Sequence, residues 1–142
     1  MDHPFTVSLV SWHDGAPMLR AVREAVFMHE QNVPAELEWD GLDETARHAL
    51  ALNAKGDAIG CGRLLPDGHI GRIAVVPTWR KKHVGTAIME ALLNEARSRG
   101  FAQVDVDAQT YAVPFYRLFG FEEEGEEFED AGMPHIRMSL RL

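Results

Sequence analysis

Ile73-Ala74-Val75-Val76-Pro77-Thr78-Trp79-Arg80-Lys81-Lys82-His83-Val84-Gly85-Thr86-Ala87 packs the end of a strand, a basic turn and the start of a helix into one short segment. Small and β-branched residues run up to Pro77, which has no N–H to give to a ladder and stops it. Beyond the cations Arg80, Lys81 and Lys82, apolar residues recur at helical spacing at Val84, Ala87, Ile88, Ala91 and Leu92. The spacing predicts a strand over His69–Val76 and a helix over Val84–Arg99, with Gly100 as its stop. Such a turn aims unpaired backbone N–H groups and the positive end of the helix dipole at one point, where a phosphate would sit.

Working outward, Val104 and Val106 alternate with acids in a short fifth strand, so the chain crosses through the long helix into a parallel neighbour. A brief helix from about Ala112 to Leu118 follows, ended by Gly120, and Glu123–Phe128 with His135–Leu140 close as a hairpin. Upstream, Ala46–Asn53, Ala58–Leu65 and the His69 strand form an antiparallel meander, separated by Lys55-Gly56-Asp57 and Pro66-Asp67-Gly68. Thr6–Trp12 reads as the first strand. Pro17–His29 reads as a helix carrying Leu19, Val22, Val26 and Phe27, followed by an irregular acidic loop punctuated by Pro34 and Gly41. The sum is an α/β (α+β) fold: a mixed, mostly antiparallel sheet of six to seven strands with helices on both faces. Ligands of such sheets gather where the pairing is interrupted, near a helix amino end.

The chain has 142 residues, no internal repeat and no linker, so residues 1–142 are expected to form a single domain. It is 46% apolar and 25% charged, the balance of an ordinary globular protein. With 22 acids against 14 bases, a net charge of −8 argues against a nucleic-acid-coating surface. Thirteen of the 22 acids lie in Glu30–Glu44 and Glu122–Asp130, neither of which contains Lys or Arg. Between Arg72 and Met89 the sign inverts, with four cations and no acid. Cys61, the lone cysteine, can form no internal disulfide and fits a reducing, cytoplasmic setting. The opening MDHPFTVSLVSW lacks a secretion-signal pattern, and no membrane is expected. The histidines show no His-x-x-x-His or His-Glu-x-x-His spacing, and no metal is expected.

The basic turn resembles the pyrophosphate loop of the Gcn5-related N-acetyltransferase family, Arg/Gln-x-x-Gly-x-Gly/Ala after a strand ending Val-x-Pro. Arg80 or Lys82 stands at the basic position, followed by His83, Val84 and Gly85, with Ala87 entering the helix and His83 where glycine is common. If that position needs positive φ, a side chain costs about 1–2 kcal/mol, which charge-assisted contacts of about 1.5–3 kcal/mol each outweigh. Downstream, Ala108-Gln109-Thr110 and Pro114-Phe115-Tyr116-Arg117-Leu118-Phe119-Gly120-Phe121 resemble the family's amide-ended strand and Phe-Tyr helix with its Gly-Phe exit. Val26–Pro34 and Phe128–His135 further resemble a bacterial subgroup, the small ElaA- and YjcF-like acetyltransferases.

The resemblance implies direct attack of a primary amine, on a small molecule or a peptide, on the thioester of acetyl-CoA. The product forms through a tetrahedral intermediate without an acyl-enzyme, so Cys61 is expected to be a buried small residue. It further implies that Ile73, Ala74 and Val75 run beside the pantetheine arm, with the Val75 N–H as oxyanion donor. Arg80, Lys81, Lys82, His83, Val84, Gly85, Thr86 and Gln109 would contact the co-substrate. Tyr116 is the candidate general acid. For the base, Glu30, Asp40, Asp43, His48 and His135 qualify by type, and Glu30 and His135 rank first because they lie in the subgroup-like stretches. The acids from Glu36 to Asp43 are read as a possible attractant for a cationic acceptor. Two other readings stand beside this one: an acyl-CoA sensor without turnover, and an acyl-homoserine-lactone-synthase-like enzyme, suggested by Glu38, Asp40 and Asp43. A homodimer fits similar proteins.

Overall fold

The computed structural model describes residues 4–142; residues 1–3, part of the opening stretch read above for a leader, lie outside the described residues. The strands are β1 Phe5–Val10, β2 Arg47–Asn53, β3 Ala58–Leu64, β4 His69–Val75, β5 Gln103–Gln109, β6 Glu122–Asp130 and β7 Met133–Arg141. They form one seven-stranded sheet in the order β1-β2-β3-β4-β5-β7-β6. Every neighbouring pair is antiparallel except β4 and β5, which are joined through the long helix α3, Val84–Ser98. The mixed, mostly antiparallel architecture expected from the sequence is therefore the observed one.

Alternation along the strands divides the core between two faces. On one face the α3 side chains Ile88, Met89, Leu92 and Ala96 pack with Ala49, Ala51, Val104 and Val106. On the other, Leu19 and Val22 of helix α1 (Trp12–Arg23) and Val26 just beyond it pack with Leu50, Cys61 and Ala74. Each fully buried Leu or Ile contributes about 1.5–3 kcal/mol. Close approach of α3 depends on Gly62, where a Cβ would lie 2.7 Å from Ile88 Cγ2 and 2.8 Å from Leu92 Cδ1. Among the described residues no helix is long and apolar enough to cross a membrane.

Three segments depart from the pattern reading. First, α1 begins at Trp12, five residues before Pro17, because the Ser11 hydroxyl caps it by accepting the Asp14 N–H at 3.1 Å. It then widens into a π-helical stretch, Glu24–Glu30, which a 3.6-residue period does not reveal. Second, the acidic loop contains a short helix α2, Ala35–Glu38. Third, the final hairpin is longer than expected, turning at Ala131 (φ 52°) and Gly132 (φ 78°), the paired positive angles of a tight two-residue hairpin turn. All nine residues of β6 are exposed, which is why it shows no apolar alternation, and its acids discourage further strands from adding at this edge.

Candidate active site

β4 and β5 pair in register only at His69–Asp105 and Ile70–Val106, and then separate. The cause lies in β4. Three of its steps, Gly71 to Ala74, span two steps of β3, Cys61 to Arg63, and Arg72 sits at φ 52°. An extra residue of this kind bends a strand out of its ladder. A cavity of about 410 Å³ occupies the resulting cleft.

The donor end of this cleft is built from backbone. Val76 N–H donates to the Ile59 carbonyl at 2.9 Å, while Val75 stands opposite Gly60. Alternation in an antiparallel ladder then turns the N–H and C=O of Val75 away from β3, toward the space β5 has left. A 3₁₀ turn, Pro77–Trp79, leads to α3, whose cap residue His83 holds φ 66°, with Lys81 at φ 62°. The left-handed geometry that glycine favours is thus adopted by a histidine. No side chain caps α3, and its first backbone bond runs from the Ala87 N–H to the His83 carbonyl at 3.1 Å. The N–H groups of Val84, Gly85 and Thr86 therefore have no helical acceptor four residues back, as at any exposed helix start.

Of the residues expected at the co-substrate, Ile73, Ala74, Val75, Arg80, Gly85 and Gln109 line the cavity. The Val84 side chain is buried in the core, so only its N–H can serve. Lys82 donates to the Thr78 carbonyl at 2.8 Å and lies over the Trp79 ring. Arg80 is engaged: its terminal nitrogens donate to Glu30 at 2.7 and 2.6 Å and its Nε to the Val75 carbonyl at 2.9 Å.

Tyr116, on helix α4 (Val113–Arg117), also lines the cavity, set edge-to-face against Phe115 and Phe121 at 5.3 and 5.8 Å. Burial, reinforced by nearby Tyr111, pushes its phenol up to about 12. It keeps its proton at working pH and is a hydrogen-bond donor.

The two first-ranked base candidates have different surroundings. The hydrogen bonds from Arg80 hold the Glu30 carboxyl below its usual range. His135 is 7% exposed, stacks on Phe128 at 5.8 Å and lies 2.8 Å through Nδ1 from the Met133 carbonyl. A carbonyl can only accept, so Nδ1 carries the hydrogen and Nε2 of the neutral ring keeps its lone pair. His135 lines the cavity, and its Nε2 has no partner among the described residues.

The acidic loop does not do what its composition suggests. Arg23, 1% exposed, donates to Glu38 and Asp43 at 2.6 Å each. Arg63 donates to both Asp40 oxygens at 3.0 and 2.9 Å and to Asp43 at 3.1 Å, and Arg72 pairs with Glu38 and Asp40. Three arginines thus balance three carboxylates. Burial opposes the charge of Asp40, but the hydrogen bonds from Arg63 and the Leu42 N–H, with the field of Arg63 and Arg72, outweigh it and hold the carboxyl at about 2. His48 is buried and donates through Nε2 to the Asp43 carbonyl at 2.9 Å, and burial pushes its pKa down. Glu38, Asp40, Asp43 and His48 are therefore corrected from base or attractant to a closed structural cluster. One signal was present: a run of six acids from Glu30 to Glu44 without a base must find its counter-ions elsewhere in the chain.

Sequence reasoning also missed Gln31, whose side-chain oxygen accepts from Gln109 at 3.0 Å, and the group His69, Asp105, Asp107 and Arg137 at the root of the cleft. Asp105 and Asp107 were visible only as acids alternating with valines. Cys61 is buried, as expected, and burial pushes its thiol up to about 12, which makes it a poor nucleophile. Among the described residues no group of three or more His, Cys, Asp or Glu is placed to hold a metal ion.

The family model of the acetyltransferase (GNAT) domain matches residues 15–142. The uncharacterized N-acetyltransferase YjcF of Bacillus subtilis is 42% identical over 121 residues, 82% of this chain and 86% of that one. The crystal structure of Escherichia coli ElaA superposes with a TM-score of 0.85 at 28% identity, over 94% of this chain and 98% of that one. An acyl-CoA N-acyltransferase from Pseudomonas aeruginosa superposes with a TM-score of 0.84 at 27% identity over the same shares.

Proposed function

The chain belongs to the GNAT acetyltransferase family and is an acyl-CoA N-acyltransferase, and on that premise we propose that it moves an acetyl group from acetyl-CoA to a primary amine by direct attack. The observation that carries this reading is convergence: the Val75 N–H and the amino end of α3 open onto the one cleft that Tyr116 and His135 also line.

The residues present fit the donor. The N–H groups of Val84 to Thr86 and the helix dipole suit a diphosphate, with Lys81 and Lys82 adding positive charge nearby. The Val75 N–H is positioned to take the charge that develops on the thioester oxygen. His135 Nε2 receives the proton of the acceptor ammonium. The freed amine forms the C–N bond, and the resulting tetrahedral adduct breaks its C–S bond. Tyr116 gives its proton to the departing thiolate, and the nitrogen of the new C–N bond, which must shed its second hydrogen to become the amide, returns one to the phenolate. With its phenol at about 12 against a thiolate near 8.5, that transfer is uphill by about 5 kcal/mol, so Tyr116 assists departure without being indispensable.

The experiment is to mix the protein with acetyl-CoA and a panel of primary amines while following free thiol, alongside calorimetric titration with coenzyme A. Thiol release that needs both protein and amine supports transfer. Binding without release would leave a sensor, and the absence of any heat would remove the reading altogether.

A further inference from the structure

The peptide that joins Val75 to Val76 is held from both sides. Its N–H donates to the Ile59 carbonyl of β3 at 2.9 Å, and its carbonyl, which a trans peptide points the opposite way, accepts Arg80 Nε at 2.9 Å. β5 supplies no donor at this point, because it pairs in register with β4 only at His69–Asp105 and Ile70–Val106. A side chain thus fills the place that a neighbouring strand would have taken.

Arg80 is fixed in turn. Its two terminal nitrogens donate to Glu30 at 2.7 and 2.6 Å, so every nitrogen of the guanidinium is engaged and its plane is set by the fork. Glu30 ends the π-helical stretch, and its neighbour Gln31 anchors that stretch again: the Gln31 N–H donates to the Val26 carbonyl at 3.0 Å, and its side chain meets that of Gln109, at the end of β5, at 3.0 Å. Gln109 stands opposite His135 in register. Adjacent residues of one segment therefore brace both strands that the cleft separates. Glu30 and Arg80 are each 39% exposed, so their ion pair adds little to folding stability. What it fixes is direction.

We propose that Arg80, locked by Glu30, is a positioning residue for acyltransfer and not a ligand of the co-substrate's phosphates; this rests on the acyltransfer reading above. By holding the Val75 carbonyl it fixes the backbone of Val75, whose N–H turns into the cleft on the same edge of β4 and is the donor proposed for the thioester oxygen. It also covers the negative end of that carbonyl dipole, which would otherwise face the charge developing on the oxygen. Without Arg80, the last peptide of β4 keeps a partner on one side only and the N–H loses its aim.

Arg80→Gln and Arg80→Met separate the two roles. Both remove the charge, but glutamine carries an N–H at the same number of bonds from Cα as Arg80 Nε, whereas methionine, of equal length, carries none. Rates with acetyl-CoA and whichever primary amine of the panel reacts best, followed as free thiol, are set beside calorimetric titration with coenzyme A. Arg80→Met is expected to lower kcat by about ten- to a hundredfold, the cost of a small misplacement at the reacting atoms, with the Kd for coenzyme A unchanged. Arg80→Gln should recover most of that loss. Glu30→Ala, which frees the fork, should lower kcat by less, and should lower it no further when combined with Arg80→Met, because the two residues act as one unit. A weaker Kd for coenzyme A in both Arg80 variants, with kcat intact, would make Arg80 a phosphate ligand and overturn the proposal. Equal losses of kcat in the two variants would overturn the hold on Val75. No thiol release from the unaltered protein with any amine, while coenzyme A still binds, would overturn acyltransfer and this inference with it.

Discussion

Arg80 grips Glu30 through both terminal nitrogens, at 2.7 and 2.6 Å, while its Nε holds the Val75 carbonyl at 2.9 Å. One guanidinium thereby ties the end of β4 to the π-helical stretch across the cleft. The pairing stabilises the Glu30 carboxylate and makes it reluctant to take a proton, which is why His135 is the base proposed of the two first-ranked candidates.

Substituting the two in parallel separates them. Glu30→Gln is expected to cost less than about 1 kcal/mol of stability, as for exposed ion pairs, and to keep most turnover. His135→Gln should lower kcat by about 10²-fold or more, the usual contribution of a positioned base. Steady-state rates across pH check this; an equal loss in both variants would return Glu30 to the role.

Tyr116→Phe should slow kcat by about 10- to 100-fold, at or below the low end of acid–base contributions, because its phenol is pushed up to about 12 and gives its proton late. Affinity for coenzyme A, measured by titration calorimetry, should be unaltered. A variant that lost binding instead would recast Tyr116 as packing.

Acid should unfold the protein in two stages. His48 has a folded pKa lowered by burial, so the stability linked to its neutral form is complete above its unfolded value near 6.5 and is lost as pH falls below it. Asp40 sits at about 2 when folded against about 3.9 when unfolded, so its contribution is present above about 4 and lost as pH falls toward 2. With partial exposure that contribution is about 1–2 kcal/mol. Urea midpoints between pH 7 and 3 should fall, and Asp40→Asn should flatten the lower half of the curve.

His83→Gly should raise the melting temperature slightly. The left-handed φ of 66° costs a side chain about 1–2 kcal/mol, and glycine gives back about 0.5–1 kcal/mol of that through its freer unfolded chain. A fall in the calorimetric midpoint would mean that the imidazole makes a compensating contact.

Gly62→Ala should destabilise by about 1–3 kcal/mol, the usual cost of overpacking, because the new methyl would meet Ile88 and Leu92 of α3. Unchanged denaturant midpoints would show that the helix can ride outward without cost.

Much of the fold was legible because its signals are local. The apolar spacing from Val84 to Leu92, the stop at Gly100 and the turns at Gly56 and Gly68 each act within a few residues, and the strands and helices they imply are present within a residue or two. The π-helical stretch after α1 escaped because a change of helical pitch leaves no mark in an apolar pattern. β6 was hard to read because an edge strand exposed along its whole length has no inward face to alternate.

The sequence by itself determined the order of elements, the parallel crossover and the backbone-rich turn before α3, all consequences of short-range sterics and periodicity. Only the tertiary structure decided which charges meet. Arg23 and Asp43 stand 20 residues apart, and Arg80 and Glu30 stand 50 apart. Coulombic pairing acts through space and is indifferent to distance along the chain. Once the sheet and helices had packed, Glu30, Glu38, Asp40 and Asp43 faced arginines, while Asp107, inconspicuous in β5, was left lining the open cleft.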